Sequence, residues 1–407
     1  MERRGHDQLE VGVAYLPATV GPYLWHEFNP EVVARDLAAI AAQRIPTIRV
    51  GLAWDAFMPT DRAPNPRRMR DLETLLASAR ELGVRVVPTL FAQSIGDAVM
   101  LPAYAIDRRA PRAGVRCITD ARVVDGGPRD IYADPLMLEV QVRWLDALLA
   151  AFADHPAIAA WDLGHDPAGT VRPRRIAEMA SWAGLLAERV HAQDEECRLT
   201  LSQDDVVRGR GVRLAAVAAH VDAVGLALNP QDLPLPGDVL DAGRAIFVAD
   251  LAHALAGDTL PLIVEVEVAS GEVERDAGDA AAADPVTLPS NAARTLSDEL
   301  LQRLSGSGVA GIVASAWSDW GERLLDSPPA DRRKWLARRG IVDSTGNSKP
   351  IADAWKGLVT TERAVVPAAP FPVALDVESY YANLPDSLRD LYALWQDDRG
   401  DTPAILS

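Results

Sequence analysis

Eight short apolar runs rich in β-branched residues alternate along 407 residues with longer amphipathic stretches, and no GxGxxG or GxxxxGK[ST] turn occurs among them. Together these observations predict a (β/α)8 barrel, a TIM barrel of the α/β class, with a C-terminal extension. An open doubly wound sheet would carry a glycine-rich nucleotide turn after its first strand.

The predicted strands are residues 11–17, 47–54, 85–91, 158–164, 198–202, 223–228, 262–268 and 311–316, each a β-rich apolar run of strand length. Between them PEVVARDLAAIAAQ (30–43), RRMRDLETLLASARELG (67–83), DPLMLEVQVRWLDALLAAFADH (134–155) and RRIAEMASWAGLLAERVHAQD (174–194) place apolar residues at helical spacing. Asn29 before Pro30 and Asp134 before Pro135 read as N-caps followed by proline at the first helical position.

Residues 1–355 are assigned to the barrel. The proline-rich run VVPAAPFPVALDVESYY begins a region, 356–407, that reads as an arm packed on the barrel or partly disordered. Two strand-to-helix loops are long: 94–133, taken as functional, and 269–290, whose run AGDAAAADP reads as disordered.

A formal charge of -17 excludes a nucleic-acid partner, because phosphate neutralisation needs a basic surface. No segment holds the roughly 18 uninterrupted apolar residues of a spanning helix, so no membrane partner is expected. The location expected is cytoplasmic, or secreted if a signal peptide has been removed. Cys117 and Cys197 lack zinc-site spacing and read as two free thiols. No HxH or HExxH occurs, so neither a metal nor a cofactor is expected, and no GxSxG marks a nucleophile elbow. His26, His155, His191, His220 and His253 read as caps or surface residues.

A barrel places its active site on the loops at the C-terminal ends of its strands. That singles out Trp54-Asp55, Gln93, His165-Asp166, Gln203 to Asp205, Asn229, Glu265 with Glu267, and Trp317 to Trp320. Chemistry on a glycosidic bond needs two carboxyl groups flanking the anomeric carbon, and Asp166 with Glu265 or Glu267 supplies them. In VEVEV the two glutamates alternate with valines and so share one face of a strand. Arg49, on the second predicted strand, is a candidate to hold such a carboxylate bidentately. Trp54, Trp317 and Trp320 are candidate sugar-stacking rings at strand ends.

With these residues assembled, YADPLMLEVQVRWLDALLAAFADHPAIAAWDLGHDP (132–167), together with DLAAIAAQRIPTIRVGLAW, LGVRVVPTLF, LPLIVEVEVASG and GIVASAWSDWGE, resembles the clan A (β/α)8 glycoside hydrolases of the cellulase and mannanase type, family 5-like. The resemblance covers about residues 10–355 in the right order. It implies a retaining β-glycosidase that hydrolyses O-glycosidic bonds of a β-linked oligo- or polysaccharide, with a strand-4 Glu as acid/base and a strand-7 Glu as nucleophile. Arg49 and Trp317 match its supporting Arg and Trp. Its Asn-Glu pair reads His165-Asp166 here, which draws the acid back by roughly 1.5 Å, a displacement that can cost on the order of 100-fold in rate. Its strand-7 pattern, Glu followed by an aromatic and Gly, reads Glu265-Val-Glu267-Val-Ala, and a rigid alignment from Pro261 puts Val266 at the nucleophile position. The strand-6 His or Tyr is replaced by Gly-Leu-Ala-Leu.

Three outcomes stay open at this point. One is a hydrolase of reduced or altered activity in which His165 contacts the sugar. Another is a catalytically inactive pseudo-glycosidase that keeps the cleft as a carbohydrate-binding or interaction module. The third is an inverting mechanism, because a shorter Asp widens the carboxyl separation toward the roughly 6.5 Å at which a water fits.

Overall fold

The computed structural model describes residues 7–91, 94–257, 260–271, 287–360 and 363–399. Eight parallel strands, β1 (Glu10–Ala14), β2 (Thr47–Gly51), β3 (Arg85–Phe91), β4 (Trp161–His165), β5 (Cys197–Ser202), β6 (Ala223–Leu228), β7 (Leu262–Val266) and β8 (Gly311–Ala314), pair in chain order and close β8 onto β1. All eight predicted strands are present, several of them shorter at the C-terminal end. Residues such as Tyr15, Leu52, Trp54 and Val268 are buried at the rim after the ladder has ended. An apolar residue buried without strand pairing reads, in sequence, like one more strand position.

An outer helix follows every strand: α1 (Pro30–Ala42), α2 (Pro66–Glu81), α3 (Pro135–Phe152), α4 (Ile176–His191), α5 (Leu214–Ala218), α6 (Ala242–Ala256), α7 (Ser290–Leu304) and α8 (Ala352–Val359). Asn29 Oδ1 accepts from the amides of Glu31 and Val32, and Asp134 Oδ1 from those of Leu136 and Met137, so both expected caps are made. Asn65 before Pro66 uses the same device on α2.

Two further helices, α9 (Val377–Ala382) and α10 (Asp386–Arg399), cover part of the ring. They explain why α6 is buried on nearly every side, a pattern that an outer-ring helix with one solvent face would not show. Phe247 of α6 packs against Tyr392 at 5.0 Å and Trp395 at 5.7 Å between ring centroids, and Trp395 Nε1 donates to Asp250. Nearby, Tyr380 donates to the carbonyl of Val206, and the Arg213 guanidinium lies 4.0 Å over the Tyr381 ring.

The long loop 94–133 builds a small sheet from Ser94–Ile95, Ala98–Met100, Arg116–Thr119 and Arg122–Val124. Arg116 ties it down through Asp97 and Asp331, each at 2.8 Å. The AGDAAAADP run lies outside the described residues. Cys117 and Cys197 are both buried and free. His26 and His191, expected as caps or surface residues, are instead partners of the buried acids Asp55 (3.0 Å) and Asp222 (2.9 Å).

Two polar assemblies are buried in the fold outside the site. At the lower end of the barrel, Arg198 of β5 meets Glu10 of β1 at 2.8 Å and Glu196 at 2.7 Å, which satisfies a guanidinium that would be costly to bury alone. Beside the upper rim, buried Lys349 donates to Asp319 (2.9 Å) and to the carbonyls of Ser270 (2.8 Å) and Arg338 (3.1 Å), pinning the segments that follow β7 and β8 to each other. Among the described residues no helix is long and apolar enough to cross a membrane.

Candidate active site

The strand β4 carries the feature that shapes the site. Asp162 pairs with Arg198 of β5 and His165 with Thr200, three residues against two, so a bulge interrupts the alternation between Asp162 and His165. Both side chains consequently face the barrel interior, whereas strict alternation would send His165 outward. Asp162 is the strut. Its Oδ2 accepts from Thr200 Oγ1 (2.9 Å) and Thr89 Oγ1 (3.2 Å), and its Oδ1 from the amides of Thr200 (3.1 Å) and Gly164 (3.2 Å). Burial pushes its carboxyl above the usual range, against the pull of Arg49 and these bonds.

At the mouth of the barrel lies a cleft of about 400 Å³, the size of a small-molecule site. Glu265 of β7 and Arg49 of β2 meet on its floor, with Glu265 Oε2 2.6 Å from Arg49 Nη2 and 3.3 Å from His165 Nε2. Arg49 therefore holds the strand-7 carboxylate through Nη2 as its nearest contact. Burial acts to raise the Glu265 carboxyl, but Arg49 and His165 outweigh it and hold the group at about 2. The carboxylate is therefore ionised at any ordinary pH. Arg49 Nε, His165 Nε2 and Glu265 Oε2 are all shielded from solvent and lack an aligned hydrogen-bond partner among the described residues. The ion contacts compensate Glu265 Oε2 and His165 Nε2, which leaves Arg49 Nε as the group of the three with no partner among the described residues.

Glu267 also lines the cleft, as period-2 geometry from Glu265 requires, but its carboxylate is taken by Arg339. Asp166 lines the same cleft on the β4 side. It sits in the left-handed region with φ 50°, and its Oδ1 accepts from the Gly169 amide (3.1 Å) and from Arg210. Arg210 is shared with fully buried Asp205 (3.1 Å), whose carboxyl burial pushes up. A side chain at Gly169 would bring its Cβ 2.2 Å from Asp166 Oδ2 and 2.6 Å from Ser94 Oγ, so only glycine lets the acid lie there.

Three expected sugar-binding rings are elsewhere. Trp54 opens a short helical turn, Trp54–Phe57, that swings its indole into a core of Phe91, Tyr104 and Trp144. Trp317 would share the inward face of Val313 and Ser315 if β8 continued, but the ladder breaks at Ser315. A separate strand, Ala316–Ser318, pairs with Gly340–Val342 and turns Trp317 into a hollow with Gln43, Ile45 and Trp355. Trp320 is fully buried in a cluster with Tyr23, Trp335 and Leu336. A tyrosine and a tryptophan ring line the cleft among the described residues, Tyr15 just after β1 and Trp335 on the loop after β8, with the Arg339 guanidinium 5.8 Å from the Trp335 centroid. Nothing in its local sequence distinguishes Trp335 from a core residue. Gln203, Asp204 and Asn229 line the cleft as expected, Asp55 is paired with His26 in the interior, and Gln93 lies outside the described residues. Among the described residues no group of three His, Cys, Asp or Glu side chains is arranged to hold a metal ion.

With the ion pair and the bulge in place, solved structures of the same architecture can be compared. The chain has the fold of the family 5 glycoside hydrolases. A GH5_18 protein from Streptomyces cattleya in complex with GlcNAc superposes with a TM-score of 0.73 at 17% identity, covering 97% of this chain and 92% of that one. A GH5_18 protein from Bifidobacterium longum subsp. longum gives 0.72 at 16%, covering 89% and 82%. An exo-β-1,4-mannosidase from Opitutaceae bacterium strain TAV5 gives 0.69 at 16%, covering 88% of this chain, which spans only 62% of that protein. No protein-family profile matches the chain. No curated protein matches it either.

Proposed function

We propose that the chain is a glycoside hydrolase-like protein that takes a β-linked saccharide in the cleft at the mouth of the barrel, with Glu265 as the carboxylate that faces the anomeric carbon. The observation that carries this reading is the contact of Glu265 with both Arg49 and His165, which keeps a buried carboxylate ionised on the floor of the cleft. In the retaining course, Glu265 attacks the anomeric carbon as the glycosidic C–O bond breaks. The departing oxygen takes a proton, and water later releases the sugar from Glu265. Asp166, which lines the cleft on the β4 side, is the carboxyl we assign to the proton transfers. Its Oδ1 is engaged by Arg210 and the Gly169 amide and its Oδ2 lies against Gly169, so proton transfer to a leaving group requires the side chain to turn into the cleft.

The same pairing favours a second reading, a carbohydrate-binding relative without turnover. Asp166, Asp204, Asp232, Glu265 and Glu267, the carboxylates lining the cleft among the described residues, are all ion-paired with arginine. The two readings separate on a 2-deoxy-2-fluoro β-mannosyl or β-glucosyl donor with a dinitrophenolate leaving group, which needs no acid to depart. The hydrolase reading expects a covalent glycosyl adduct on Glu265, detected as added mass on one peptide and absent in Glu265→Gln. Saccharide binding without an adduct favours the binding relative. An adduct on another residue, or no saccharide binding at all, overturns the assignment of the cleft.

A further inference from the structure

Among the described residues six arginines line the cleft, although the chain as a whole carries a formal charge of -17. Three of them come from three successive strand-to-helix segments. Arg112 lies in the long loop after β3, Arg172 follows the short turn Pro167–Thr170 after β4, and Arg210 follows β5. Arg112 Nη1 donates to the carbonyl of Thr170 at 2.8 Å, which fastens the loop after β3 to the one after β4. Arg210 is already neutralised between Asp166 and Asp205. Arg112 meets only that carbonyl, and Arg172, which is exposed, meets no carboxylate among the described residues. Burial, then the charges of Arg172 and Arg210, pull Arg112 below the usual arginine range, as expected where guanidinium groups crowd one another.

Like charges gathered on a concave wall cost free energy unless an anion comes to them. We propose that the wall made by Arg112 and Arg172, beside Asp166, binds the anionic substituent of a charged saccharide, so that the cleft takes an acidic sugar in preference to a neutral one. Planar, multi-donor arginines suit a carboxylate or a phosphoryl group equally well, and both share the required oxyanion geometry. Trp335 and Leu336 also line the cleft and supply an apolar surface for the uncharged part of the ring. The inference rests on the reading of the cleft as a saccharide site.

The test compares matched ligands by calorimetry on the full chain: mannobiose, a β-linked mannuronate disaccharide, mannose and mannose 6-phosphate. The proposal expects the anionic member of at least one pair to bind about tenfold tighter or more, with affinity falling as salt is raised. The uronate arm and the phosphate arm identify the source of the charge. In Arg112→Gln and Arg172→Gln, the preference for the anionic ligand over its neutral partner is expected to shrink several-fold. The conservative Arg172→Lys should keep more of it. Arg172 is exposed and its replacement does not threaten folding, so a stable variant is available even if Arg112→Gln unfolds. Neutral and anionic partners binding alike, or a preference untouched by both substitutions, overturns the inference while leaving the saccharide cleft intact. Selective binding of the anionic ligand without hydrolysis supports it even where the hydrolase reading fails.

Discussion

Glu265 and Arg49 meet at 2.6 Å across the floor of the cleft, joining β7 to β2, two strands that are not neighbours in the barrel. Removing one partner of so buried a pair leaves the other charge uncompensated, and such losses run to about 3 kcal/mol. Arg49→Met is therefore expected to lower the unfolding free energy by about that amount in a urea titration. A change below about 1 kcal/mol would mean that the pair contributes no more than a surface ion pair does.

The acid limb offers a second check. Glu265 is held at about 2, below its ordinary 4.5, so the folded state favours its ionised form. Its contribution to stability is fully present above about pH 4.5 and is lost as pH falls toward 2. The kcat/KM for a dinitrophenyl glycoside should accordingly stay flat from neutrality down to about pH 4, and an inflection between pH 5 and 7 would assign the reacting carboxylate to another residue.

For Asp166 the sensitive quantity is the leaving group. Asp166→Asn is expected to keep the fold, because asparagine tolerates the left-handed backbone and can still accept from the Gly169 amide. Its kcat/KM on a dinitrophenyl glycoside should change by less than about threefold, whereas on an alkyl glycoside kcat/KM should fall by about 100-fold or more, the share that general acid catalysis ordinarily supplies. Equal losses on both substrates would take proton donation away from Asp166.

Two tryptophans should part company. Trp335→Ala is expected to weaken saccharide binding by about tenfold, since the ring lines the cleft, and also to cost about 3 kcal/mol of stability, since it packs in the cluster with Trp320 and Leu336. Trp317→Ala should cost about 3 to 5 kcal/mol of stability, because it empties a buried site away from the cleft. Calorimetry and thermal unfolding on both variants decide the matter, and the opposite pattern of binding would restore Trp317 to the sugar.

Much of this architecture is legible in the chain because it follows from local rules. The alternation in VEVEV puts Glu265 and Glu267 on one face, and the Asn-Pro and Asp-Pro pairs mark helix starts that the structure bears out. Arg49 opposite a strand-7 glutamate was legible only as a candidate, because alternation fixes which residues share a face and not which face turns inward. What escapes a local reading depends on partners far along the chain. The bulge in β4 needs the register of Thr200 to be known, and the capture of Asp166 by Arg210 joins residues 44 positions apart. The breaks after β2 and β8 that send Trp54 and Trp317 into the core arise where the ladder ends, which hydrophobicity does not record. The one available hint of the Asp162 strut was a carboxylate inside the otherwise apolar run AAWDLG.

The burial of Lys349 gives the chain an intrinsic reporter. Lysine occurs only at 334, 349 and 356, and Lys349 is the one enclosed by Asp319 and two carbonyls. An amine-reactive reagent applied to the native protein should therefore modify Lys356 readily and spare Lys349. The peptide carrying Lys349 then becomes a clock for the opening of the segments that frame the cleft, read out by mass without any engineered probe.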